Sequence, residues 1–199
     1  MSLWWRYFGS EAVIFGVDTD PNCAAMTGLD GQVRIGSQDD RKFLGDVVGE
    51  MGGVDTVLDD GSHVSKNIRA SPNVLFPLLK DGGIYAIDDL HPTCWSTHEG
   101  GYQKPDSFIG DIRQMYDGLH HWYHTEGQEI EAASGSLAAL HLYKSGAVLE
   151  KRRGPPPRHV KFEARHKVGD PSGDPLFLGL PRTPSQRKYL SKSSPRPIL

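Results

Sequence analysis

Four β-favouring runs, each followed closely by aspartates, constrain this chain more than any other feature. Val13-Ile14-Phe15-Gly16-Val17 closes on Asp18 and Asp20, and Gln32-Val33-Arg34-Ile35 is followed by Asp39 and Asp40. Val54-Asp55-Thr56-Val57-Leu58 runs into Asp59 and Asp60, and Ile84-Tyr85-Ala86-Ile87 into Asp88 and Asp89. The first run is continuously apolar, as in a strand buried on both faces, and Asp20-Pro21-Asn22 breaks it before a short helical stretch. Between the runs lie segments of helical spacing. Phe43, Leu44, Val47 and Val48 follow helix-starting side chains at Ser37, Gln38, Asp39 and Asp40. Ile68, Val74, Leu75, Leu78 and Leu79 predict another helix, bent at Pro72 and ended by Asp81-Gly82-Gly83.

The aromatic stretch 3–8 fits the last turns of a helix closing on Gly9, and 107–119 predicts a further helix. Near the end, 137–143 and 147–150 flank Lys144-Ser145-Gly146 as a β-hairpin. Strands alternating with helices, then a hairpin, predict an α/β domain: a doubly wound, mostly parallel sheet with an antiparallel hairpin at its C-terminal side.

A length of 199 residues suffices for one core, and the 37% hydrophobic content is spread unevenly. The domain is expected over 1–152. Beyond it the chain turns to Arg153-Gly154-Pro155-Pro156-Pro157-Arg158 and a Pro/Ser-rich, basic stretch, so 153–199 is expected to be a disordered tail. Its cations could touch an acidic partner or simply aid solubility. A net charge of −3, from 22 basic and 25 acidic side chains, argues against the positive field that nucleic-acid binding needs. Cys23 and Cys94 have no paired spacing, no run approaches the ~20 apolar residues of a membrane span, and no leader precedes the domain. A soluble, cytoplasmic protein in a reducing compartment is expected, with self-association into a homo-oligomer left open.

In open parallel sheets, ligands bind outside the carboxyl ends of the strands, where loops diverge and helix N-termini point outward. Every acidic pair above falls at that edge. Crowded carboxylates repel, and a hard divalent cation with oxygen ligands relieves that repulsion; the alternative is that Asp59, Asp60, Asp88 and Asp89 merely cap the segments that follow. His63 lies three residues beyond Asp60, on a tight loop through Gly61 and Ser62, where an imidazole can take a proton near neutral pH or serve only the loop. His120 and His124 have the i, i+4 spacing of a zinc pair but lack a third ligand. Residues 93–105, with Trp95, His98 and Tyr102, follow the last acidic pair. They read as a substrate lid made mobile by Gly100-Gly101, or as a plain surface loop.

Gly16-Val17-Asp18-Thr19-Asp20-Pro21, the loop Asp59-Asp60-Gly61-Ser62-His63 and the pair Asp88-Asp89 resemble the class I S-adenosylmethionine-dependent methyltransferases. The likeness, over roughly 3–152, is to the macrocin and mycinamicin O-methyltransferase branch, which includes cephalosporin-tailoring enzymes. It implies a Rossmann-like sheet and S-adenosylmethionine as cofactor, with Asp18 on its ribose. Ser37, Gln38, Asp39 and Asp59 would lie on the cofactor side. It further implies Mg²⁺ or Mn²⁺ on Asp60, Asp88 and Asp89, and His63 as the base that deprotonates a sugar-like or catechol-like hydroxyl of a small molecule.

The family opens with a strand and a glycine loop that cradles the methionine end of the cofactor, whereas this sequence starts at the helix after them. In the family that strand lies between those ending here at Asp18 and Leu58. Three explanations follow: the start is set too late, the protein is a damaged relative, or the two flanking strands pair directly and hold the cofactor weakly. The alternatives to an enzyme of this type are an inactive remnant acting as a binding module and a nucleotide-sugar or NAD enzyme on a similar sheet.

Overall fold

Each aspartate-terminated run forms a strand in the computed structural model: β1 (Phe15–Asp18), β2 (Gln32–Ile35), β3 (Val54–Asp59) and β4 (Leu79–Ile87). The structure describes residues 2–28, 30–123, 135–155, 157, 158 and 160. The expected tail beyond 160 and His124 lie outside these residues. Met1–Arg158 make up one compact unit.

β1 pairs with β2 in parallel, from Phe15↔Gln32 to Asp18↔Ile35. β3 pairs with β4 in parallel, ending at Asp59↔Ile87. The hairpin forms as β5 (Leu137–Leu142) and β6 (Ala147–Lys151), and β6 runs antiparallel to β4, giving the order β3-β4-β6-β5. This is the mixed α/β sheet expected of a doubly wound fold. Among the described residues β1 and β3 belong to separate sheets, so the direct pairing left open by the sequence is not adopted.

β4 begins five residues earlier than its apolar pattern suggests, because Leu79 already pairs with Val54 before the glycines. Gly83 permits this close course: a Cβ there would lie 2.8 Å from the Lys80 carbonyl oxygen and 2.9 Å from that of Asp55.

The helices start where side chains can take up free amides. α1 (Ser2–Phe8) closes on Gly9 at φ 92°, whose amide reaches the Trp5 carbonyl at 2.9 Å. α2 (Arg41–Met51) is capped by Asp40, which accepts from the Phe43 amide at 3.0 Å. α3 (Ser65–Leu78) contains Pro72 and Pro77 within its length, and α4 (Phe108–Gly118) starts on Ser107. The core lies between these last two helices and the larger sheet. Ile68 and Phe76 of α3 and Phe108 and Ile112 of α4 pack with Ile87 and Leu149, each residue buried. Burial of side chains of this size stabilises by roughly 1.5–3 kcal/mol apiece. Lys151, buried as well, donates to the carbonyls of Pro77 at 2.6 Å and Leu79 at 2.7 Å, satisfying groups left over where α3 ends.

No helix among the described residues is long and apolar enough to cross a membrane.

Candidate functional site

Parallel pairing of β3 with β4 sets the two acidic pairs side by side, since Asp59 is opposite Ile87 and the Asp88 amide continues the ladder to the Asp59 carbonyl at 3.0 Å. Asp60, His63 and Asp89 converge just beyond. One ligand atom from each lies within 4.8 Å of the others, and His63 Nε2 is 3.7 Å from Asp60 Oδ1. At that separation the imidazole is not consumed by a hydrogen bond to the carboxylate.

The convergence depends on unusual backbone. His63 and Asp89 take φ values of 55° and 47°, in the left-handed region that costs a non-glycine residue about 1–3 kcal/mol. Neighbouring bonds hold them there. The Ser62 amide donates to Gln38 Oε1 at 2.8 Å, and Asn67 Nδ2 to Ser62 Oγ at 2.9 Å. On the other side, the Asp89 amide donates to Asp88 Oδ1 at 2.8 Å, and the Leu90 amide to the Ser145 carbonyl at 2.8 Å. Asp88 thus supports Asp89 and is not among the three converging groups.

Asp59, placed on the cofactor side by the sequence reading, turns inward instead. It is 8% exposed and accepts from Ser71 Oγ at 2.5 Å, Tyr85 Oη at 2.7 Å and Gln38 Nε2 at 3.3 Å. Burial, reinforced by the Asp59 charge, pushes the Tyr85 phenol well above its ordinary value, so it stays protonated and donates. Ser71 and Tyr85 were missed by the sequence reading. The available signal was a tyrosine at an inward strand position, which requires a partner for its hydroxyl.

The remaining predicted residues lie on the smaller sheet. Asp18 ends β1, and the Asp20 amide bonding its Oδ1 at 2.8 Å, helped by the Cys23 thiol, holds its carboxyl below the usual value. Ser37 and Asp39 follow β2 and bond each other at 2.5 Å. Gln38 joins this loop to the loop after β3 that carries Asp60 and His63, because its amide reaches both Asp59 and Ser62. Gly61 makes that approach possible, as a Cβ there would come within 2.2 Å of Gln38 Oε1.

In residues 93–105, Gly100 has a steric role. A Cβ at Gly100 would fall 1.8 Å from the Thr93 carbonyl oxygen, so this glycine serves a close backbone crossing. The Gly100 amide bonds the Trp95 carbonyl at 2.9 Å, and the Gly101 amide bonds that of Thr93 at 3.1 Å.

No family model matches the chain. It is 38% identical over 162 residues to the 8-demethyl-8-(2-methoxy-alpha-L-rhamnosyl)-tetracenomycin-C 3'-O-methyltransferase of Streptomyces olivaceus, covering 75% of this chain and 39% of that protein. It is 31% identical over 153 residues to the demethylmacrocin O-methyltransferase of Streptomyces fradiae, covering 74% and 38%. This chain is a relative of the macrocin and mycinamicin O-methyltransferases. Its fold agrees with that relationship. The MycE methyltransferase of the mycinamycin biosynthetic pathway, solved in complex with Mg, SAH and mycinamycin VI, superposes with a TM-score of 0.66 at 27% identity, over 71% of this chain and 36% of that one. The chain therefore spans about two fifths of the length of these relatives.

Proposed function

We propose that this chain takes part in metal-dependent O-methyl transfer from S-adenosylmethionine to a hydroxyl of a glycosylated small molecule. The observation that carries the reading is the convergence of Asp60, His63 and Asp89 from two adjacent strand ends. Their chemistry fits a divalent cation beside a base: the carboxylate oxygens of Asp60 and Asp89 suit Mg²⁺ or Mn²⁺, the His63 imidazole stands next to them, and left-handed backbone at His63 and Asp89 sets both side chains in place. Asp88, which the resemblance implies as a further ligand, lies at the same edge but outside the converging group.

When bound, the cation would lower the pKa of an acceptor hydroxyl and S-adenosylmethionine would supply an already activated methyl group. This chain's residues position and deprotonate. Asp60 and Asp89 would hold the cation and so direct the hydroxyl, and His63, beside Asp60, would take the hydroxyl proton. Asp18 would hold the ribose hydroxyls, with Ser37, Gln38 and Asp39 along the adenosine. Gln38, bonded to the loop that carries Asp60 and His63, would fix the distance between the cofactor side and the metal side.

Support comes from the relatives, which are O-methyltransferases of rhamnosyl tetracenomycin and demethylmacrocin, and from the Mg and SAH bound by MycE. The separation of β1 from β3 favours the second reading, a domain that retains the acids but not transfer. SAH formation separates them. With S-adenosylmethionine, Mg²⁺ and a rhamnosylated polyketide, the chain should release SAH, and His63→Ala should slow release by about 10²–10⁴-fold. No SAH from the parent chain, or an undiminished rate in His63→Ala, would count against the transferase reading.

A further inference from the structure

β6 runs antiparallel to β4 in a register that ends at Ile87↔Ala147. Carried past the strand ends, the same register sets Ser145, in the hairpin turn, opposite Asp89. The turn lies close against the end of β4: the Tyr143 amide bonds the Gly146 carbonyl at 2.8 Å, and a Cβ at Gly146 would lie 3.1 Å from the Ile87 carbonyl oxygen. From there Ser145 meets the chain just beyond Asp89. Its carbonyl accepts from the Leu90 amide at 2.8 Å, and its Oγ accepts from the His91 amide at 3.4 Å and lies 2.7 Å from His91 Nδ1. The His91 ring packs edge to face with Trp95, centroids 5.2 Å apart, and its Nδ1 is 3.6 Å from Asp89 Oδ1, outside hydrogen-bond reach.

The Ser145 hydroxyl decides how His91 bonds. Because Oγ accepts the His91 amide proton, its own hydrogen is left to give, and Nδ1 is the acceptor within reach. A ring nitrogen that accepts cannot also donate to Asp89, so the carboxylate keeps its lone pairs for a cation. We propose that Ser145 is a positioning residue for the cation ligand Asp89: its hydroxyl engages His91 Nδ1 and so keeps the imidazole off the carboxylate. This rests on the metal-dependent reading above. Without the hydroxyl, a short swing of the ring brings an Nδ1–H onto Asp89 Oδ1, and the cation meets a competitor for that oxygen.

Mn²⁺ titration of the full chain, followed by electron paramagnetic resonance alongside the melting temperature of the same samples, tests this. Ser145→Ala should take up Mn²⁺ about tenfold more weakly than the wild type at an unchanged melting temperature, and Ser145→Thr, which keeps a hydroxyl, should match the wild type. Removing the competing ring as well should restore uptake, so the double variant Ser145→Ala with His91→Ala should bind Mn²⁺ as the wild type does. Equal uptake by Ser145→Ala and the wild type overturns the proposal. A double variant as weak as Ser145→Ala also overturns it, because Ser145 would then act on the hairpin turn and not through His91. The two readings fail separately. No uptake by the wild type defeats the metal-dependent reading and this role with it, whereas wild-type uptake that Ser145→Ala leaves unchanged defeats the positioning role alone.

Discussion

Asp59 and Asp60 are neighbours with opposite roles, one buried under Ser71 and Tyr85 and the other open beside His63. The sequence shows two adjacent acids and no sign of which turns inward. Alternation along a strand normally decides this, but the β3–β4 register shifts between Val54 and Thr56, so counting from the buried Val54 gives the wrong face for Asp59. Tyr85→Phe should remove one hydrogen bond from a buried carboxylate and lower unfolding stability by about 1–3 kcal/mol in denaturant titration. The pH dependence has a definite sign. Folding holds the phenol's pKa above the 10.0 at which an unfolded tyrosine ionises, so Tyr85's contribution is present below that pH and lost as pH rises past it. Stability of the wild type should therefore fall more steeply above pH 10 than that of Tyr85→Phe. Gly61→Ala should displace the Gln38 amide, breaking its bonds to Ser62 and Asp59. Weaker Mn²⁺ binding with little change in melting temperature is expected, because the atom that must move is the far end of a flexible side chain.

Elements were the most legible scale. β2, α2, α4 and the hairpin fall within a few residues of their expected limits, since periodicity and end-capping residues are local signals. Asp40 illustrates this: an acid just before an apolar-periodic run became the cap of α2. Asp40→Ala should cost about 1 kcal/mol, read as a lowered denaturation midpoint with an unchanged slope. The start of β4 was hidden because Lys80-Asp81-Gly82-Gly83 resembles a turn, and only pairing with β3 draws it into the strand. Lys151 escaped notice for a similar reason. A lysine at the end of a strand reads as exposed, whereas here burial pulls its pKa down and its ammonium closes the end of α3. Lys151→Met keeps much of the apolar stem but leaves the Pro77 and Leu79 carbonyls without this donor. A loss of roughly 1–3 kcal/mol in thermal or chemical unfolding is expected.

Over the whole molecule, the parallel course of the strands and their shared acidic edge could be inferred from the sequence, because parallel strands must present their carboxyl ends together, whereas the strand order could not. How the ends converge could not. That depends on His63 and Asp89 adopting left-handed backbone, a conformation no pattern of residue types announces, and on Ser145 from the distant hairpin bonding the turn after Asp89. The sheet remains in two parts, β1-β2 and β3-β4-β6-β5, and Gln38 links the loop after β2 to the loop after β3.

The central claim is that one point beyond β3 and β4 gathers a cation, and electron paramagnetic resonance of added Mn²⁺ probes it most directly. The account predicts saturable uptake by the wild type, weakened at least about tenfold, or ~1.4 kcal/mol, in Asp60→Asn and in Asp89→Asn. A spectrum of free Mn²⁺ throughout the wild-type titration, or equal uptake by both variants and the wild type, would contradict it.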